Sequence, residues 1–200
     1  MAKFLGTVYA ARTPDEVRSL YDAWAETYDA EIAEAGYATP ARVAAALTAS
    51  GADRAAPVLD FGCGTGLSGA ALKLVGFREI DGADISPEML ARAKAKGVYR
   101  RLLRLNPKGP LPSGYATVAA VGVIGPGAAP LSVLPGLASG LPRGGLFGFS
   151  FNDHALTLPD HVAAIPALVE AGVARVAFEE RGEHLPGIAV KSTVYVLERM

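Results

Sequence analysis

Residues 58–69 read VLDFGCGTGLSG, and two glycine patterns overlap in them. Gly64, Gly66 and Gly69 spell G-x-G-x-x-G, the spacing of a dinucleotide-binding turn. Asp60, Gly62, Gly64 and Gly66 spell D-x-G-x-G-x-G. Either pattern sits between a short buried strand, APVLDFG, and a returning helix, GLSGAALKLVG. That succession opens a parallel α/β sheet, with the glycine turn at the carboxyl end of its first strand.

The flanking sequence continues the alternation. EIDGADIS (79–86) predicts a second strand, after which Ser86 and Pro87 start the helix PEMLARAKA and Gly97 ends it. VYRRLLRL (98–105), YATVAAVGVI (115–124) and GGLFGFSF (144–151) predict three further strands. Between the last two, Leu131, Leu134, Leu137 and Leu141 recur at helical spacing and predict a short crossover helix. RVAFEERGEH and AVKSTVYVLERM are separated only by turn signals, which is too short for a crossover and predicts an antiparallel hairpin. Upstream, Thr13 and Pro14 start one helix over TPDEVRSLYDAWAETYD, and Thr39 and Pro40 repeat that start for PARVAAALTAS. The expectation is a single domain over 1–200, with a helical cap over 1–50 and an α/β core over 55–200.

Composition narrows the partners. Half of the 200 residues are apolar, and 19 basic against 20 acidic side chains leave a formal charge of -1. No global field favours a nucleic acid or an anionic membrane, so a small-molecule partner is expected. The lone Cys63 cannot form an internal disulfide, which fits a reducing, cytoplasmic setting. The opening MAKFLGTVYAAR has too short an apolar run for a signal peptide. No uninterrupted apolar run approaches the roughly 20 residues of a membrane helix. No set of histidines and cysteines has metal-ligand spacing, so no metal is expected.

Asp60 decides between the glycine patterns. A carboxylate at the mouth of the turn would repel a pyrophosphate, whereas S-adenosylmethionine carries no phosphate and brings a sulfonium and an ammonium. Register agrees, because Gly64 lies beyond a turn that Gly62 has already begun. Asp84, at the end of the second strand, suits ribose hydroxyls under either reading.

Through these residues the chain resembles the class I S-adenosylmethionine-dependent methyltransferases over nearly its full length. VLDFGCGTG is similar to their first motif, GADISPEML to their second, and YDAWAETYD to the segment that precedes the sheet in small-molecule members. The spacing, with YATPARVAAAL, resembles the methyltransferase-like group named for the Williams-Beuren region. The resemblance implies a Rossmann-like sheet of seven mostly parallel strands in the order 3-2-1-4-5-7-6, closed by an antiparallel C-terminal hairpin. It also implies an enzyme that methylates a small-molecule acceptor. An NAD(P)-dependent oxidoreductase and a non-catalytic S-adenosylmethionine-binding protein are the alternatives. Acceptor atom and oligomeric state are encoded in no motif.

Under the resemblance, Asp60, Gly62, Cys63, Gly64, Thr65 and Gly66 surround the methionine moiety, with Trp24 and Tyr28 closing over it. Asp84 takes the ribose, Ile85, Met89 and Asn106 meet the adenine, and Leu105 and Val121 complete the cofactor contacts. Met89 is equally well read as core, and Cys63 as packing rather than nucleophile. Family members often have Asp before a backbone N–H donor where this chain has Asn106 and Pro107. Since proline offers no N–H, the Asn106 amide is expected to contact both the exocyclic amine and N1. Tyr21, Trp24 and Tyr28, at i, i+3 and i+7, are expected on one face of the first helix. Asn152, Asp153 and His154 follow the fifth strand and are the candidates for orienting or deprotonating an acceptor, although a capped surface turn explains them as well. His161 and His184 are expected to be solvated, as is the basic cluster Arg100, Arg101, Arg104 and Lys108.

Overall fold

The central strand β1 (Val58–Phe61) is buried at every residue and ends in the glycine turn. In the computed structural model, which describes residues 13–200, it sits third in a sheet of seven. The opening stretch MAKFLGTVYAAR therefore lies outside the described residues. The order is β3 (Arg101–Arg104), β2 (Ile80–Asp84), β1, β4 (Thr117–Ala120), β5 (Leu146–Asn152), β7 (Val190–Arg199) and β6 (Ala174–Leu185). β1 to β5 pair in parallel, and β7 runs antiparallel to both β5 and β6. This is the expected order, hairpin included. Strand order reverses between β1 and β4, the point at which an open α/β sheet leaves a cleft above its carboxyl ends.

Helices α4 (Leu67–Leu74), α5 (Pro87–Ala95), α6 (Val133–Ser139) and α7 (Pro159–Glu170) supply crossovers. Side chains alternate across the sheet and build two cores. Leu59, Phe61, Phe147, Phe149 and Phe151 join Leu134, Leu137 and Leu168 on one face. Val58, Ile80, Val194 and Val196 join Leu72 and Leu47 on the other.

The first predicted helix is two. α1 (Pro14–Trp24) begins with a capping box in which the Thr13 side chain and the Glu16 backbone N–H meet, and Glu16 reaches back to Thr13. It stops at Trp24, and α2 (Tyr28–Glu34) starts after a short turn. Tyr28 therefore does not extend the face of α1. The turn instead folds Tyr28 edge-on against Trp24, with ring centroids 4.6 Å apart. Trp24, Ile32 and Ala35 bury against Leu185 of the hairpin, and this packing outweighs the helix propensity of AWAETYD.

α3 (Thr39–Ala49) departs from expectation at its start. Thr39 is its first helical residue rather than its cap, and its hydroxyl turns to His184 Nδ1 (2.7 Å) and Ser192 Oγ (3.1 Å). Arg42 on the same helix donates to the carbonyls of Glu180 (2.8 Å), Glu183 (3.0 Å) and Ser192 (3.1 Å). The cap is thus fastened to the hairpin through side chains.

The basic edge is only partly solvated. Asp81 of β2 is fully buried and accepts from Arg100, Arg101 and the Tyr115 hydroxyl. Burial alone would raise its proton affinity, but these donors outweigh it and hold the carboxyl below the usual carboxylate range. Arg104 and Lys108 do remain exposed. Among the described residues no helix is long and apolar enough to cross a membrane.

Candidate cofactor and acceptor site

The glycine turn is hung from the ends of β1 and β2. The N–H groups of Gly62 and Cys63 donate to the Ala83 carbonyl at 2.7 and 3.1 Å, and Gly64 N–H donates to Asp84 Oδ2 at 2.8 Å. Asp84 Oδ1 accepts from Ser86 N–H at 2.9 Å, so one carboxylate ties the turn to the start of α5. Burial raises the proton affinity of Asp84, and these backbone donors offset part of the effect. Gly62 and Gly64 both have positive φ, +70° and +52°. A Cβ on Gly62 would stand 2.1 Å from Val123 Cγ2, whereas one on Gly64 would meet nothing within 4 Å. Gly64 therefore leaves its peptide bare toward open space, the arrangement a close-lying ligand needs.

That space is the first of three adjoining cavities. It measures about 100 Å³, and Tyr28, Gly62, Gly64, Asp84, Ile85, Met89, Leu105 and Val121 all line it. Eight of the expected contact residues thus converge on one hollow. Val17, Phe61, Ile85 and Leu105 also border a second cavity of about 590 Å³, which runs beneath α1 past Asn106 and Leu111 to His161. On the other side, Tyr21, Tyr28, Gly122 and Ala128 are shared with a cavity of about 80 Å³, where Trp24, Tyr37, Asn152 and His184 appear. Burial, followed by Tyr37 and the charges of Asp29 and Asp84, keeps the Tyr28 phenol protonated.

Other expected residues lie elsewhere. Asp60 points away from the cavities, beneath α4, and accepts at 2.7 Å from both Ser68 Oγ and Tyr99 OH. The reason is parity, since Phe61 faces the cavity and its neighbour in the strand must face the opposite side. Burial pushes the Asp60 carboxyl up to about 6 against those two hydrogen bonds. Cys63 is buried over Gly82, and Gly66 and Gly69 leave room for the Tyr99 ring. Thr65 binds Asp29 of α2, which also pairs with Lys96, and so holds the turn from behind.

Asn106 stands exposed at the rim of the second cavity, and its Oδ1 accepts from Lys108 N–H at 3.0 Å. The two-edged adenine contact expected of it would share that oxygen with the Lys108 N–H, since one lone pair caps its own turn and the other stays open. Of the three acceptor-side candidates, Asn152 is the one that lines these three cavities, and its Oδ1 accepts from Ala155 N–H. Asp153 accepts from Lys191 N–H and pairs with Arg181, while the exposed His154 precedes a short 3-10 turn. The latter pair fits the capped-turn explanation.

Both remaining histidines are buried at 7 % exposure rather than solvated. His161 lies edge-on to Phe151 with its ring centroid 5.3 Å away, and burial lowers its proton affinity. His184 is pushed down to about 4 by burial and then by the charge of Arg42, with Asp153 opposing. His184, Thr39 and Ser192 carry no sequence signal as a group, since contacts across 145 and 153 positions join them.

A family described as "Methyltransferase domain" matches residues 58–107. Human methyltransferase-like protein 27 is 39% identical over 139 residues, covering 66% of this chain and 57% of that protein. The chain thus spans little more than half the length of this curated relative. Magnesium protoporphyrin IX methyltransferase from Synechocystis, solved with bound S-adenosylmethionine, has a TM-score of 0.61 at 20% identity, covering 98% of this chain and 90% of that one. The cyclase SpnF has a TM-score of 0.70 at 13% identity, covering 94% and 97%. At those identities the two structures speak for the fold.

Proposed function

We infer that this chain is a class I S-adenosylmethionine-dependent methyltransferase and that it methylates a small-molecule acceptor held in the cavity beside Tyr37 and His184. The observation that carries the reading is the bare, positive-φ peptide of Gly64 facing a hollow that also contains the Asp84 carboxylate. A purely structural turn needs no such opening.

The residues fit the cofactor by their chemistry. Asp84 would accept from ribose hydroxyls, with Ile85, Met89, Leu105 and Val121 as apolar walls for the base and Gly62 and Gly64 admitting the methionine portion. Tyr28 lies between this hollow and the smaller cavity, and its aromatic face suits a neighbouring cation. When bound, the cofactor supplies an electrophilic methyl group on a sulfonium sulfur. The chain's own tasks are alignment and exclusion of water. α1 roofs the hollow with Val17 and Tyr21, and Asp22 accepts from Ser86 Oγ to hold that roof against α5. Positioning of this kind accounts for large rate factors without a strong base.

S-adenosylmethionine and S-adenosylhomocysteine are both expected to bind in calorimetry at micromolar concentrations, and NAD(H) and NADP(H) to give no heat. Binding by a nicotinamide cofactor and by neither adenosyl ligand would overturn the reading. The thioether product should accumulate only when an acceptor is supplied, which separates an enzyme from a protein that merely binds the cofactor.

A further inference from the structure

The smallest cavity has one wall whose hydrogens can be traced atom by atom. Arg42 Nη1 lies 3.1 Å from Ser192 Oγ, and a guanidinium can only donate. Ser192 Oγ lies 3.1 Å from Thr39 Oγ1, which lies 2.7 Å from His184 Nδ1. Thr39 and Ser192 are both fully buried. Among the described residues, Thr39 is the only partner available to the Ser192 hydroxyl proton, because the other neighbour is Arg42. If Thr39 donated to Ser192 instead, that proton would be buried without an acceptor, a costly arrangement. Each hydroxyl therefore passes its hydrogen onward, from Arg42 to Ser192, from Ser192 to Thr39 and from Thr39 to Nδ1. A chain polarised in one direction is also mutually strengthening.

We propose that this relay fixes His184 as the Nε2–H tautomer, so that the site presents an N–H donor to its acceptor and takes an acceptor whose reactive oxygen is already ionised, as in a carboxylate or an enolate. The proposal rests on the cofactor reading above for what lies next door. Nδ1 is occupied by Thr39, which leaves the Nε2 edge for the cavity that His184 lines, and that cavity shares Tyr21, Tyr28, Gly122 and Ala128 with the hollow over Gly64. The groups facing His184 agree. Tyr37 stacks edge-on at 5.2 Å, Arg42 lies behind the relay, and Asp153 is engaged by Arg181. The lowered proton affinity of the ring suits a neutral donor and does not suit a base. Bond changes balance without one. The ionised oxygen bonds to the methyl carbon, the carbon–sulfur bond breaks with its electron pair remaining on sulfur, and no proton moves. This explains why none of Asn152, Asp153 and His154 is placed as a base.

Two measurements on the full chain test the proposal. Nitrogen NMR of the His184 ring near neutral pH, without ligand, should report a bare Nδ1 and a protonated Nε2. Thr39→Val should turn that single tautomer into a mixture. A protonated Nδ1 in the parent protein would overturn the proposal. With the chain saturated by S-adenosylmethionine, acetate and acetylacetonate serve as carboxylate and enolate probes, against acetamide as the neutral control. At least one anion should shift the Nε2–H proton with an affinity about tenfold above that of acetamide, since bonds to an ionised acceptor are the stronger. The anion that does so identifies the source. Equal responses to all three, or none, would overturn the acceptor class. If calorimetry detects no S-adenosylmethionine binding, the cofactor reading fails, while the tautomer measurement on unliganded protein still decides the relay by itself.

Discussion

Gly64→Ala is expected to fold almost as stably as the parent and to lose most of its affinity for S-adenosylmethionine, whereas Gly62→Ala is expected to lose stability first. The two differ in what the new methyl group meets. At Gly64 there is open space, so the stability cost is that of a left-handed alanine, about 1 kcal/mol. The methyl group then occupies the hollow itself, and an affinity loss of about 10- to 100-fold follows, roughly 1.4 to 2.7 kcal/mol. At Gly62 the same backbone cost is joined by a clash with Val123, whose Cβ would stand only 2.7 Å away, so backbone must move. Overpacking of this kind adds about 1–3 kcal/mol. Thermal unfolding and calorimetry on the two variants separate the effects. Parent-like affinity in Gly64→Ala would mean that the ligand does not pass over that peptide.

Asp84→Ala should weaken both S-adenosylmethionine and its thioether product equally, by about 1.5–3 kcal/mol for a lost charged acceptor. The structure adds a second reason for a large effect. The same carboxylate accepts from Gly64 and Ser86, so its removal frees the turn that the ligand rests on. Asp84→Asn keeps one acceptor oxygen but sets an amide N–H group against one of those two backbone donors. Its affinity should fall between those of the parent and the alanine variant. An alanine variant with unchanged dissociation constants for both ligands would show that the ribose is held elsewhere.

The sheet was readable in the sequence because its signals are local. Short apolar runs, the glycine turn and the Ser86–Pro87 helix start each lie within a few residues of what they specify, and the family resemblance supplied the strand order. The hollow over Gly64 was legible for the same reason, since its walls are the carboxyl ends of consecutive strands. Three features were not. The break between α1 and α2 has neither glycine nor proline to mark it and comes from Trp24 and Tyr28 packing against a distant hairpin. Asp60 was placed at the mouth of the turn by its charge, although period-2 alternation with Phe61 already sets it on the opposite face, beside Ser68 and Tyr99. His161 and His184 look like surface histidines on a helix and a hairpin, respectively, until elements far away in the chain cover them.

The relay from α3 to the hairpin also sets an order in time. Gly64 and Asp84 are 20 positions apart, so the turn can assemble as soon as β1 and β2 exist. Thr39 must wait for His184 and Ser192, 145 and 153 positions downstream. Ribosomes add roughly 5–20 residues per second, so the hairpin follows β3 by several seconds at least. Through that interval α3 packs on β1 and β2 through Val43 and Leu47, but Thr39 and Arg42 have no hairpin to bind, and Trp24 and Ile32 lack Leu185. The nascent chain therefore offers a sticky, half-built cleft to chaperones and to its own copies, and substitutions at Arg42 or Thr39 should reduce the yield of folded protein more than they reduce the stability of molecules that complete the fold.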